Sequence, residues 1–446
     1  MKKFKLLITM LTLAPIFAFA QSDLESRIDE LEENQLLNIF SFSGNLKYMY
    51  DSRQLETDAG DKQDGNWNRL SMGFNVVAKP YEDITFYSTF RMSKFFNTIF
   101  GNEPNEGGLT ESRSFTGSQL YVEKAYADVK MSDSLVFSFG RLPTIEGVPT
   151  NYHDGKSVMG TYPLMAYSAT LDGLALTYKP LNSLALRMVY TPFQGAPTNF
   201  SAEDDANNDG DSDGKRVAFD TEPVNVEVIT AMLDYTTSFS WARSFNVVLQ
   251  YTDIPKYDLY HAATGTASGG TVAAVPNSGV HSETTLTTIH VEMLDLANIG
   301  LNLSVSHLMT ENLTEATGAL ATSDSSGTQK GSGTLLALQY AGLQNHIFGL
   351  HYLSSTKEYG KFDSINNTLG SIVRDSGMES FMSTVGSAAD VYYTHRFKPT
   401  FTGTLGYMMQ DIDAVNWGRF GLTNPSESDS SKKKINTAYM RLNLDF

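Results

Sequence analysis

The last ten residues, Thr437-Ala438-Tyr439-Met440-Arg441-Leu442-Asn443-Leu444-Asp445-Phe446, decide how the rest of the chain is read. Side chains alternate along a strand with period two. Phe446, Leu444, Leu442, Met440 and Ala438 therefore share one face, and Asp445, Asn443, Arg441, Tyr439 and Thr437 share the other. The segment has one apolar wall and one polar wall. A soluble sheet with its apolar side turned inward gives the same alternation. Here, however, the pattern runs to the final residue, and that residue is an aromatic.

Upstream, the same alternation recurs in sixteen predicted strands, near 40–50, 67–79, 83–94, 119–130, 134–141, 171–180, 183–191, 224–235, 244–253, 285–295, 299–309, 333–341, 345–354, 387–397, 400–410 and 434–446. Leu70/Met72/Phe74/Val76, Leu184/Leu186/Met188/Tyr190 and Phe245/Val247/Leu249/Tyr251 are examples. Short turns, such as Leu181-Asn182 and Lys398-Pro399, alternate with long polar connections, such as 95–118, 142–169 and 192–223. Short on one side and long on the other is the pattern of a bacterial transmembrane barrel. An even strand count places both ends of the sheet on the short-turn side. The fold class expected is all-β, a transmembrane antiparallel β-barrel of about sixteen strands preceded by a short N-terminal helix. A terminal Phe closing an amphipathic strand resembles the assembly signal of bacterial outer-membrane β-barrels, which implies the outer membrane of a Gram-negative bacterium and contact with its lipid.

The N-terminus agrees with export. Lys2, Lys3 and Lys5 precede an apolar run from Leu6 to Phe19 that ends in Ala18-Phe19-Ala20, the layout of a secretory signal peptide over residues 1–20. Residues 21–38 differ from everything after them. Leu24, Ile28 and Leu31 form a heptad-like seam among charged residues, which reads as a periplasmic coiled-coil-like segment or a solvated lead-in. Some porins carry such a segment, and the resemblance implies a homotrimer. Residues 39–446 are then the barrel. Without the three signal lysines, 30 Lys and Arg stand against 50 Asp and Glu. Such acidity excludes nucleic-acid binding, which rests on basic side chains. The chain has no cysteine, so it has no disulfide framework. Mean hydropathy is −0.23, as half-apolar strands give.

A sixteen-stranded barrel is wide enough for an aqueous channel, so function depends on what lines and narrows it. The phase of each strand turns Lys47, Arg69, Arg91, Lys124, Arg187, Arg396 and Arg441 inward. Five of these, Lys47, Arg69, Arg91, Lys124 and Arg441, lie on the first four strands and the last, which are neighbours once the sheet closes. One arc of the wall should carry a ladder of positive charge. The connection after the fifth strand contains Gly140-Arg141-Leu142-Pro143-Thr144, then Glu146-Gly147 and Asn151-Tyr152-His153-Asp154-Gly155-Lys156. At this point the chain resembles the general diffusion porins, whose third loop folds into the barrel and sets acidic residues against a basic wall. The resemblance implies Glu146 and Asp154 on the loop side of a pore constriction, with Lys47, Arg69 and Arg91 opposite. It departs from the family in that the two carboxylates stand eight residues apart, with Lys156 nearby.

Asp209, Asp211, Asp213 and Asp220, with Gly214, have the spacing of a calcium loop, although position 12 is Asp rather than Glu. An acidic solvated surface loop explains the same residues. His290 and Glu292 share an inward face, but G-x-S-x-G, H-E-x-x-H and glycine-rich phosphate loops do not occur. The expectation is a non-enzymatic porin passing small polar solutes and ions, with no cofactor beyond calcium in the 209–220 loop. A substrate-specific channel and a non-conducting surface-structural or adhesin barrel are the alternatives.

Overall fold

The structure is a computed structural model. It describes residues 39–57, 60, 62–95, 119–142, 147–156, 163, 165, 172–194, 225–261, 266–267, 270–271, 279–317, 327–356, 359, 381–382, 384–413 and 433–446. The signal-like segment, residues 21–38, Glu146 and the 209–220 loop lie outside these residues.

In chain order the strands are β1 (Phe40–Thr57), β2 (Lys62–Tyr81), β3 (Ile84–Phe95), β4 (Gln119–Ser132), β5 (Leu135–Arg141), β6 (Asp172–Leu181), β7 (Leu184–Gln194), β8 (Asn225–Phe239) and β9 (Ala242–His261). Two short strands follow, β10 (Thr266–Ala267) and β11 (Gly270–Thr271), then β12 (Gly279–Leu296), β13 (Leu301–Thr317) and β14 (Gly327–Leu343). The last four are β15 (His346–Ser355), β16 (Gly386–Lys398), β17 (Phe401–Ile412) and β18 (Lys433–Asp445). One short helix, α1 (Thr150–His153), follows β5.

Sixteen of these strands close into one antiparallel barrel, in which each pairs with its chain neighbour and β18 returns to β1; β10 and β11 form a separate hairpin between β9 and β12. Closure matters because an open edge leaves a row of unpaired backbone groups that hydrocarbon cannot satisfy. At the seam Asn45 pairs with Asp445 and Lys47 with Asn443. Phe446 extends it: its N–H donates to the Gly44 carbonyl at 2.9 Å, and the Gly44 N–H donates to its carbonyl at 2.7 Å. The Phe446 ring lies over Gly44, where a Cβ would come within 2.6 Å of it.

Alternation sorts the two faces. On β17, Leu405, Tyr407 and Met409 are 57, 45 and 43% exposed, whereas Thr404, Met408 and Gln410 are 4, 1 and 3% exposed. The first set forms part of the apolar outer belt. The second points inward and is covered there by other parts of the chain. Strand positions agree with the expected ones to within a few residues at the short-turn ends. At the long-connection ends several strands run further, β2 by five residues and β9 by eight (expected start 67 and end 253 against Lys62 and His261). The ladder there continues through polar cross-strand pairs such as Glu311 with Lys330 at 3.0 Å, so hydropathy marks only the belt and not the whole strand.

Candidate functional site: the barrel interior

The interior is organised by the connection that leaves β5. Gly140 makes the bend with φ +116°, and a Cβ there would lie 2.3 Å from the Ala125 carbonyl oxygen. Leu142 and Val148 are then buried, and α1 places Tyr152 and His153 in full burial. The segment does not stay near its own strand. The Tyr152 carbonyl accepts from Gln339 Nε2 on β14 at 2.9 Å, and the Gly155 carbonyl accepts from Arg396 Nη2 on β16 at 2.8 Å. His153 packs against Tyr439 on β18, ring centroids 5.0 Å apart, and against Tyr392 on β16 at 5.3 Å. Asp154 Oδ1 accepts from Lys47 Nζ on β1 at 2.5 Å. These anchors run from β14 through β16 and β18 to β1, and β14 and β16 each lie seven strands from β5 in the ring of sixteen. The third outer connection thus reaches the opposite wall from the one it leaves.

Gly155 ends the helix with φ +74°, and a Cβ there would lie 3.2 Å from the Thr394 methyl. That left-handed conformation carries little cost only for glycine. It turns the chain so that Asp154 faces β1 while the Gly155 carbonyl faces β16. Burial by itself would raise the Asp154 pKa, but the Lys47 and Lys156 charges and the Lys47 hydrogen bond outweigh it and hold the carboxyl below its ordinary value. A lowered folded-state pKa contributes stability above the unfolded value that is lost as pH falls through the folded one. The difference in unfolding temperature between the native chain and Asp154→Asn should therefore persist down to about pH 4 and shrink in stronger acid. Heat-modified gel mobility at a series of pH values measures it, and a difference constant to pH 2 would show that the pair does not anchor the segment.

The basic residues of the wall do not stand alone. Arg91 meets Glu123 in a two-pronged contact, Nε to Oε1 at 2.7 Å and Nη2 to Oε2 at 2.9 Å. Arg441 pairs with Asp51 at 2.5 Å, Arg187 with Asp234 at 2.8 Å, and Arg141 with Asp172 at 2.9 Å. Arg69 is buried on the inward face of β2. Lys124 faces inward on β4 and is half-buried. Glu123 and Lys124 are adjacent, yet both reach the interior. Thr89 pairs with Lys124 and Phe90 with Val122, so Glu123 is the extra residue of a β-bulge. Strict alternation would have sent one of them outward, and that conflict is the one sequence signal that could have revealed the bulge. Asp51 was accessible to the same phase argument as Lys47, four residues earlier.

Sequence reasoning missed a second contribution. Tyr359, Phe381 and Met382, from the connection between β15 and β16, are all 0% exposed inside the barrel. They join Val148, Tyr152 and Met165 of the third connection and Ile254, Leu286, Leu308, Leu335 and Leu353 of the wall in one apolar cluster. The inward positions of β8–β18 are largely buried beneath it. Several inward positions on β4–β7, among them Lys124, Tyr126, Asp128, Ala175, Thr177 and Arg187, remain partly exposed, whereas Glu123, Ala185, Val189 and Thr191 are buried. The interior is therefore lopsided, with its accessible polar surface on the β4–β7 side. Among the described residues no group of three metal-ligating side chains occurs.

This arrangement defines the class: a transmembrane β-barrel of sixteen antiparallel strands with chain folded into its interior. The family described as a protein of unknown function, DUF3373, matches residues 62–426, and the chain belongs to it. None of the curated proteins matches the sequence. Among solved structures, the chain is similar to OmpF of Salmonella typhi in complex with daunomycin, at 14% identity over 91% of this chain and 97% of that one, with a TM-score of 0.47. It is similar to OprB of Pseudomonas putida at 13% identity, covering 93% and 96%, with a TM-score of 0.46. A third is the anion-selective porin of Comamonas acidovorans at 11% identity, covering 91% and 100%, again with a TM-score of 0.46.

Proposed function

We propose that this protein is an outer-membrane porin through which small hydrophilic solutes and ions diffuse passively, narrowed by its inward-folded third connection. The observation that carries the reading is the reach of residues 147–156 from β5 to Gln339 on β14 and Arg396 on β16 of the opposite wall, with Asp154 tied to Lys47 on β1 at 2.5 Å. A segment held across a barrel of this width reduces the passage without filling it. What remains is bordered by the half-exposed polar positions of β4–β7. Paired charges in low-dielectric walls set up local fields that favour water and polar solutes over apolar ones. Because Arg91, Arg187 and Arg441 are matched by carboxylates, ion preference should be mild in the native channel.

The signal-like N-terminus and the apolar outer belt support export to the outer membrane of a Gram-negative bacterium. The seam of Leu24, Ile28 and Leu31 supports a homotrimer, and a native gel showing only monomer removes that part. The 209–220 aspartates are proposed as a calcium loop on spacing alone. A non-enzymatic role follows from passive diffusion.

Purified protein in a planar bilayer should give stepwise conductance under a salt gradient. A folded barrel that conducts nothing overturns the proposal and leaves a surface-structural barrel, a reading favoured by the burial of the β8–β18 inner face. Swelling rates of loaded vesicles across a sugar series separate general diffusion, where rate falls smoothly with size, from a substrate-specific channel, where one sugar stands out.

A further inference from the structure

We infer that the seventh outer connection, between β15 and β16, is the positioning element that holds the third connection inside the barrel, with Tyr359 as its central contact. This rests on the reading of residues 147–156 as the neck, and it assigns the width of that neck to a second part of the chain.

Just beyond the end of β15, the Tyr359 N–H donates to the Thr356 carbonyl at 3.0 Å. The Tyr359 side chain is fully buried inside the barrel. The ring occupies the space above Gly333 on β14, where a Cβ would lie 2.4 Å from it, so a glycine in the wall makes the seat. The hydroxyl donates to the Met382 carbonyl at 3.0 Å and lies 3.4 Å from Met165 Sδ. A single side chain therefore touches the wall, the far end of its own connection and the third connection.

That far end is fastened independently. The Thr384 carbonyl accepts from Ser355 Oγ at 2.8 Å, and Thr384 Oγ1 accepts from Gln410 Nε2 at 2.8 Å. The Gly386 N–H donates to Ser355 Oγ at 3.0 Å. Phe381 packs 6.3 Å from His351, which also neighbours His153 of α1 at 6.5 Å. Both ends of the connection are thus tied to the wall on either side of the point where they meet the third.

Energetics point the same way. Ordering a segment across a water-filled lumen costs conformational entropy at every residue, and it must be offset by burial. The third connection brings Val148, Tyr152 and Met165 to full burial, and this apolar surface is shared with Tyr359, Phe381 and Met382. Removing the seventh connection's share exposes the third connection's apolar residues to water and favours its release.

Because the chain has no cysteine, a single Val148→Cys reports on this docking, since Val148 is 1% exposed. A small water-soluble maleimide should label it slowly in the otherwise native barrel. Adding Tyr359→Ala should raise the labelling rate about tenfold or more, as local opening replaces a buried contact, while the barrel still shows heat-modifiable gel mobility. Met165→Ala tests the same contact from the other side and carries the experiment if Tyr359→Ala does not fold. Slow labelling unchanged by either substitution overturns the inference and leaves the neck intact. Rapid labelling of Val148→Cys alone instead overturns the docked neck itself.

Discussion

Loss of Phe446 is expected to leave the chain exported but largely unassembled. The residue closes the barrel twice over. Its backbone makes the last two hydrogen bonds of the β1–β18 seam with Gly44, at 2.9 and 2.7 Å. Its ring covers the bare backbone that Gly44 leaves on the outer face, the way aromatic side chains protect glycines in sheets. Together these are worth on the order of 2–3 kcal/mol, enough to lower the equilibrium constant for barrel closure about tenfold or more. Gly44→Val should act similarly by a different route, because its Cβ would lie 2.6 Å from both the Gly73 carbonyl oxygen and the Phe446 ring. The amount of heat-modifiable barrel in the outer-membrane fraction measures both. Native levels of folded protein after deletion of Phe446 would show that closure does not depend on it.

The second large effect should follow from separating Arg91 and Glu123. Glu123 is 2% exposed and its carboxylate takes two hydrogen bonds from Arg91. Breaking a buried pair by removing one partner is far costlier than removing both. Arg91→Gln leaves a bare carboxylate on the inner wall and should turn the channel toward cations. Glu123→Gln leaves a bare guanidinium and should turn it toward anions. Partial hydration keeps each charge near 1 kcal/mol, about a several-fold change in permeability ratio. Adding Arg69→Gln to Arg91→Gln should deepen the cation preference, and the double change of Arg91 and Glu123 should restore the native value. Reversal potentials in a salt gradient give these ratios, and high salt should blunt all of them. Identical reversal potentials in every variant would remove this wall from the ion path.

The opposition between loop carboxylates and a basic wall takes a partly different form in the structure. Asp154 does meet Lys47. Arg91 and Arg441, however, are matched by Glu123 and Asp51, both from the wall itself. Such pairing was legible in part. Asp51 shares its phase with Lys47, and only the emphasis on basic residues hid it. Glu123 was legible only as a conflict with its neighbour Lys124, because a one-residue bulge in β4 shifts the phase on which inward assignments depend.

Period-two alternation, the rhythm of short and long connections and a terminal aromatic were enough to determine a sixteen-stranded barrel, its outward belt and the inward direction of Lys47, Arg69, Arg91 and Arg441. These are local properties: each strand carries its own two faces, and a turn is read from a few residues. The tertiary structure alone decided what fills the interior. Tyr152, Met165, Tyr359 and Phe381 come from connections whose sequences have no periodicity, and nothing local aims them into the barrel. Their placement depends on apolar seats such as Gly333, Leu335 and Leu353 on the inner face, which exist only once the sheet has closed.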